Sequence, residues 1–236
     1  MVLPFFYINA FQPGQSDIEL DEDNSRHAIQ VLRMEEGESL HLTDGKGHLI
    51  TGIITRAHKK HCTVKVQSLQ YTEPVQPHLS IGVSLLKNNS RFEWFLEKAT
   101  EIGINHIIPL HCSRTERTHF RWDRMNAILI SALLQSQQVW LPVLEQPTEV
   151  GKLISSTGED CFRLMAHCME GDKTPIYRIN LSNVKKVQLL IGPEGDFTCE
   201  ERDLAFENDY HPVGLGHTRL RTETAAVVAS TLLRIR

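Results

Sequence analysis

VQLLIGPEGDFTCEERDLAFENDYHPVGLGHTRLRTET, residues 187–224, is the stretch from which the fold of this chain can be read. Its opening residues, Val187 to Ile191, form a short apolar run, the pattern of a buried strand. Gly192-Pro193-Glu194-Gly195 follows at once, with Pro193 suited to the second position of a tight turn and Gly195 to the fourth. Thr198 and Glu201 have the spacing of a capping box, so a helix starts there. A second apolar strand, Val213 to Leu215, runs into Gly216 and a polar loop, His217 to Arg221. Thr222 is placed to cap a last helix whose Ala225, Val228, Ala229 and Leu232 share one face.

Two glycine-bearing loops thus leave two neighbouring strand ends. In open α/β sheets ligands bind outside the carboxyl ends of the strands. Glycine at such places lets backbone N–H and C=O groups approach a ligand that a side chain would block. GPEG alone fits an ordinary strand-to-helix turn as well as it fits a ligand loop.

Outward from this stretch, the alternation continues. Ile81 to Leu86 reads as an apolar strand, and Ser90 with Glu93 as another capping box. The helix that follows turns Phe92, Phe95, Leu96, Ala99 and Ile102 inward and stops at Gly103. Ile104 to Leu110 is a strand, and Trp122 to Gln138 a helix with Met125, Leu129, Ala132 and Leu133 on one face. Phe162 to Ala166 is the next strand, ahead of the two already described. Strands alternating with helices predict a largely parallel sheet. His167, Cys168 and Glu170 follow a strand that ends on the same side. His167 there fits either a ligand pocket or a satisfied core histidine.

The first seventy or so residues have a different texture. Ser39 to Thr43, Asp44-Gly45-Lys46-Gly47 and His48 to Thr55 make a strong hairpin signal. Ile53 to Thr55 and Thr63 to Val66 flank a second polar tip, His58 to His61. Ser25 to Met34 reads as one short helix with Ala28, Val31 and Leu32 inward, closed by Gly37. Short strands with turn signals and one small helix predict a small barrel. Glu73 to Pro77, with two prolines in five residues, is the linker.

Composition excludes several classes. At 236 residues, 41% hydrophobic and 23% charged, the chain can bury a proper core. No apolar run is long enough to cross a bilayer, and the apolar start, MVLPFFYINAFQPGQ, lacks the basic region of a secretion signal. Five cysteines without a CxxC pair predict reduced thiols and a cytoplasmic setting. His58, His61 and Cys62 have the wrong spacing for zinc and read as hairpin surface. A net charge of −4 argues against bulk electrostatic binding of nucleic acid, yet two stretches are locally basic. One holds Arg114, Arg117, Arg121 and Arg124 against Glu116 and Asp123. The other holds Arg219, Arg221, Arg234 and Arg236 against Glu223. Each fits a solvated face as well as a phosphate contact.

GPEG together with LGxxxLRTETA at this spacing closely resembles the SPOUT-class RNA methyltransferases. Within them it resembles the RsmE-type family, which methylates N3 of a uridine in 16S ribosomal RNA of the small subunit. Arg91-Phe92-Glu93-Trp94 and Glu97-Lys98-Ala99-Thr100-Glu101-Ile102-Gly103 are similar to that family's (R/K)-x-E-x…(Q/E)-K-A-T-E-L-G block. Pro109-Leu110, Arg114-Thr115 and Gln135-Ser136 sit where it has P-L, R-S and Q-S. His27 through Val31-Leu32-Arg33 to Gly37-Glu38 matches its H-x-x-x-VLR-x-x-x-G-(D/E). Two departures stand out. Gln137-Gln138 replaces the glycine and arginine often found there, which removes one RNA contact, and GPEGGF reads GPEGDF with Asp196.

The resemblance implies a PUA-like, RNA-binding β-barrel over 1–72, a linker over 73–78, and a SPOUT methyltransferase domain over 79–236 whose C-terminal segment is threaded into a trefoil knot. It also implies a homodimer, S-adenosylmethionine as co-substrate and no metal. The donor site would comprise His167, Gly192, Pro193, Glu194, Gly195, Leu215, Gly216 and Leu220. Arg26, Arg33, Arg114 and Arg221 would contact RNA, and Glu194 and Arg221 would be catalytic. For Glu194 two roles stand side by side: general base for the uracil N3 proton, or a carboxylate that holds its own turn. Competing readings are a SPOUT methyltransferase for tRNA or another rRNA nucleotide, and a non-catalytic ribosome-assembly factor.

Overall fold

The computed structural model describes residues 3–116 and 119–235. Arg117 and Arg236, counted above in the two basic stretches, lie outside the described residues. The chain divides into two compact units, Met1–Pro74 with Leu133–Leu141, and Val75–Ala132 with Pro142–Arg236.

The first unit contains β1 (Phe5–Tyr7), β2 (Asp17–Glu19), α1 (Glu22–Arg26), β3 (Ser39–Thr43), β4 (His48–Arg56) and β5 (Thr63–Tyr71). They form one mixed sheet in the order β1-β3-β4-β5-β2, parallel only between β1 and β3. The β3–β4 turn is held by Asp44, whose carboxylate accepts the Lys46 N–H and pairs with His48 Nδ1 at 2.8 Å. Alternate residues of the strands point to one core that includes Phe6, Ile18, Leu40, Leu42, Ile50, Ile54 and Val64.

The helix of this unit departs from the sequence reading. It begins earlier, with Asp21 capping Asn24 N–H, and continues as a π-helical turn over His27–Val31. The wider turn changes which side chains face inward. Ala28 and Met34 are buried, whereas Val31 and Leu32 point to solvent. Cys62, expected at a surface tip, is buried, and its N–H is bonded by the buried Ser25 hydroxyl.

The second unit contains β6 (His78–Ser84), α2 (Asn89–Ile102), β7 (His106–His111), α3 (Trp122–Gln135), β8 (Val143–Leu144), β9 (Thr148–Glu149), α4 (Val150–Ser156), β10 (Phe162–Ala166), β11 (Thr174–Pro175), β12 (Lys186–Ile191), α5 (Cys199–Glu207), β13 (His211–Gly214) and α6 (Thr222–Arg234). The sheet runs β11-β13-β10-β12-β6-β7-β8, with β9 on β7, and every pairing is parallel. Both faces of a parallel sheet must be covered, which explains why successive residues of β6 and β12 are buried from Ile81 to Ser84 and from Val187 to Ile191. One face packs Ile108, Met165 and Leu190 with residues of α4 and α5. On the other, α6 packs against α2, β6 and β12.

Local corrections follow from these packings. Asn88, not Ser90, caps α2, and Glu93 instead holds Arg124 through two hydrogen bonds of 2.6 and 2.9 Å. β13 spans His211–Gly214, because its pairing with Leu164, Met165 and Ala166 of β10 fixes its register and leaves Leu215 in the loop. β13 and β12 are not neighbours, since β10 lies between them. In α6 the N-cap is Arg221, without a side-chain capping bond, and the buried face is Ala226, Ala229, Ser230 and Leu233. That is one residue later than the periodicity implied, about 100° around the helix.

Candidate functional site

Three loops leave the carboxyl ends of β10, β12 and β13 and enclose one open cleft of about 840 Å³. The β10 loop contributes His167 and Cys168, the β12 loop Gly192, Pro193, Glu194 and Asp196, and the β13 loop Leu215 to Arg221. The first turn of α6, with Thr222 and Ala225, completes the rim. A cleft of this size suits a nucleotide-sized ligand.

The GPEG loop is set one residue later than its proline and glycine pattern implied. Asp196 N–H bonds to Pro193 C=O at 2.9 Å, so Glu194 and Gly195 are the central residues. The positive φ falls on Asp196, at 65°, rather than on a glycine. Asp196 carries it because its carboxylate is tied twice to backbone, accepting Phe197 N–H at 2.9 Å and Cys168 N–H at 2.8 Å. Gly192 is required by a close approach. A Cβ there would lie 3.0 Å from the Phe197 ring. Gly216, at φ 136°, has the open backbone that L side chains rarely adopt. The capping box forms as the sequence reads, with Thr198 and Glu201 bonded reciprocally. Thr222 does not cap its own helix. Its hydroxyl donates to Gly192 C=O at 3.0 Å and joins α6 to the β12 loop.

Electrostatics divides the cleft. Glu194, Arg219 and Arg221 are exposed at the mouth, while Asp196 is 9% exposed. Arg114 comes to the same turn: its Nη1 donates to Gly195 C=O at 2.5 Å. His167 is half-buried against Phe206, with ring centroids 5.9 Å apart and its buried Nδ1 without a hydrogen-bond partner. Burial above all, then the positive charge of Lys173, lowers its pKa, against an opposing pull from Asp196. A neutral imidazole therefore stands in the wall.

Of the residues singled out from sequence, His167, Gly192, Pro193, Glu194, Leu215, Gly216, Leu220 and Arg221 line this cleft. Gly195 stands beside it under Arg114. Arg26 and Arg33 belong to the first unit. Arg26 ends α1 paired with Asp23 at 2.6 Å, and Arg33 is exposed with φ 57°. Sequence reasoning missed Lys173 and Tyr177, which line the cleft from the segment between β10 and β12. That segment has no periodicity. Its only signal was position, after a strand already assigned to the same side.

Comparison with known proteins gives a consistent result. Residues 73–234 match the model of an RNA methyltransferase domain, and residues 20–67 that of an RNA methyltransferase PUA domain. A Rickettsia conorii protein named ribosomal RNA small subunit methyltransferase E is 28% identical over 97% of this chain and 94% of its own. A crystal structure described as a "probable rRNA-methyltransferase" of Porphyromonas gingivalis superposes with a TM-score of 0.90 at 34% identity, over 98% of this chain and 97% of that one. A Legionella pneumophila protein described as a "putative methyltransferase", solved with bound SAM, superposes with a TM-score of 0.83 at 29% identity, over 99% of this chain and 97% of that one.

Proposed function

Because this chain belongs to the RNA methyltransferase family and carries that family's PUA domain, we propose that it transfers a methyl group from S-adenosylmethionine to N3 of a uridine in 16S ribosomal RNA. The observation that carries this reading is the cleft built from three loop ends, with glycines in its lining and arginines at its mouth.

The residues present suit the donor. Gly192 and Gly216 leave two places in the wall without a side chain, the cleft has the necessary volume, and the buried charge in its lining is negative. The donor supplies a methyl group on a sulfonium, which needs no further activation. The protein's work is to hold that carbon in line with the attacking nitrogen, a task of positioning. Backbone groups of Gly192 to Gly195 and of Leu215 to Leu220 clasp the adenosine and methionine parts. Uracil N3 bears a proton that must leave as the N–C bond forms and the C–S bond breaks. The GPEG turn is tied by Pro193, Asp196 and Arg114. Glu194 is therefore left to act on the substrate as base, with Arg221 stabilising the negative charge that develops on the ring. N3 lies on the Watson–Crick edge, so the base must be unpaired or splayed from its stack.

Residues 1–72 read the RNA, with Arg26 and Arg33 on phosphate, residues 73–78 connect, and residues 79–236 methylate. The C-terminal segment forms a trefoil knot, a reading supported by the Thr222–Gly192 bond and by α6 packing on α2, β6 and β12. The protein acts as a homodimer on the small ribosomal subunit in the cytoplasm. Among the described residues no helix is long and apolar enough to cross a membrane.

Tritiated S-adenosylmethionine, offered with small ribosomal subunits or with bulk tRNA from cells lacking the protein, tests the reading. Nucleoside analysis should find 3-methyluridine from the subunit. Label in tRNA alone would reassign the substrate. Glu194→Gln should bind the donor normally and turn over poorly; near-normal turnover would remove the carboxylate from the mechanism.

A further inference from the structure

Asp196 occupies a position that usually calls for glycine. Its φ of 65° lies in the left-handed region, where aspartate and asparagine are the best tolerated of the other residues. Its carboxylate is not idle there. One oxygen accepts the N–H of Phe197 in its own loop and the other the N–H of Cys168 in the β10 loop, at 2.9 and 2.8 Å. The second bond crosses between two walls of the cleft and fixes their separation.

A carboxylate has about four acceptor positions, and two backbone donors take only two of them. The residue also lines the cleft, so its charge lies in the wall beside whatever binds there. Four other charged residues line the same space. Glu194, Arg219 and Arg221 are exposed, and Lys173 is half-buried, so solvent screens them more than it screens Asp196. His167, next to the tethered Cys168, also lines the cleft, and a neutral imidazole does not oppose a cation.

The methyl donor is a cation at sulfur, and the spent donor is a neutral thioether. The two share every other group, including the ammonium, the carboxylate and the ribose hydroxyls. Only fixed charge near sulfur can tell them apart by electrostatics, since a sulfonium has no hydrogen-bonding proton to recognise. We propose that Asp196 is a positioning residue with this function: it ties the β10 and β12 loops together and supplies the counter-charge by which the cleft prefers the charged donor to the spent one. The inference rests on the methyl-donor reading of the cleft.

Isothermal titration of the full chain with S-adenosylmethionine and S-adenosylhomocysteine measures the preference directly. Asp196→Asn keeps the positive φ and one oxygen acceptor, and removes the charge together with one of the two backbone bonds, a loss that both ligands share and that their ratio cancels. It should weaken the donor about tenfold and the spent donor by less than about twofold, so the ratio of the two dissociation constants shifts by about fivefold or more. Asp196→Gly keeps the positive φ and loses the tether as well, and should show the same shift in ratio with both ligands weaker. Thermal melting identifies a variant that has lost its fold. Equal weakening of both ligands in Asp196→Asn, or an unchanged ratio, overturns the role of Asp196 while leaving the donor site intact. A wild-type protein that binds neither ligand overturns the methyl-donor reading itself.

Discussion

The two ends of the parallel sheet use the same kinds of residue to opposite effect. At the amino ends, Arg163 gives Nη1 to Asn208 C=O at 2.7 Å and Nη2 to Thr157 C=O at 2.9 Å. Gln188 accepts from Thr157 and from the Tyr210 hydroxyl. Arg234 spans the carbonyls of Val75, Pro77 and Gly103 and the Asn105 side chain. Only the Nε atoms of these two arginines find no acceptor. At the carboxyl ends, arginines 219 and 221 stand exposed around a cleft lined by loop residues. Buried polar groups are almost always satisfied within a fold. The fold thus buries its arginines as internal clamps at one end and holds them exposed around the ligand cleft at the other, where Arg114 and Arg219 reach the carbonyls of Gly195 and Glu194. Changes at the first end should cost stability with binding intact, and changes at the second should do the reverse.

Arg234→Ala gives the largest effect. It strands three carbonyls and leaves the Asn105 amide oxygen with the Leu79 N–H alone, and the charged donor they share is worth about 3 kcal/mol. Urea unfolding should show that loss, while donor affinity well below the transition stays at the wild-type value. A loss under about 0.5 kcal/mol would break the contrast, since it would place Arg234 among ordinary surface residues. Arg221→Ala comes next and acts at the other end. Its side chain makes no capping bond to α6, so the melting temperature should hold. Methylation of small subunits should fall about a hundredfold, equivalent to about 2.7 kcal/mol of transition-state stabilisation. A shift in melting temperature with normal turnover would turn Arg221 into a structural residue.

How much of this contrast was legible in the sequence depends on what carries it. The parallel sheet, the capping box at Thr198 and the strand Phe162–Ala166 were readable because apolar runs and caps act over a few residues. The GPEG and LRTETA loops were readable as a pair, and both line the cleft. The intervening position of β10 was not, because strand order in a sheet is a long-range choice that no local pattern records. The inward residues of α6 came out one position late for the same reason, since its neighbours α2 and β6 set the phase. The π-helical turn at His27 defeated a 3.6-residue count and put Val31 and Leu32 on the wrong side. Asp196 was visible as a departure from GPEGGF, but its two backbone bonds were not. One of them reaches back to Cys168, 28 residues earlier.

Tyr210→Phe sharpens the amino-end half of the comparison with a smaller change. The phenol is buried between Gln188 and Thr157, and it bonds both. Its removal leaves those partners bonded to each other at 2.9 Å, so the cost should be about 1 kcal/mol by urea unfolding, with no change in donor affinity. A change in affinity would mean that the two ends of the sheet are coupled.

The smallest effect belongs to His167 and separates the ends by pH. Its pKa is lowered in the folded chain, chiefly by burial and then by Lys173. The unfolded chain therefore takes up the proton more readily, so the stability contributed by this group is present above pH ~6.5 and declines as pH falls through the folded value. The same proton matters more to the ligand. Once charged, the imidazolium stands in a cleft meant for a cation, and donor affinity should weaken about threefold between pH 7.5 and 5.5. His167→Asn should flatten that dependence, whereas Arg234→Ala should leave it as steep as in the wild type. If both variants kept the slope, the titrating group would lie elsewhere in the cleft and His167 would be a core residue. If both lost it, the amino-end clamp would be setting the electrostatics of the carboxyl end, and the division between a self-satisfied end and a ligand-satisfied one would not hold.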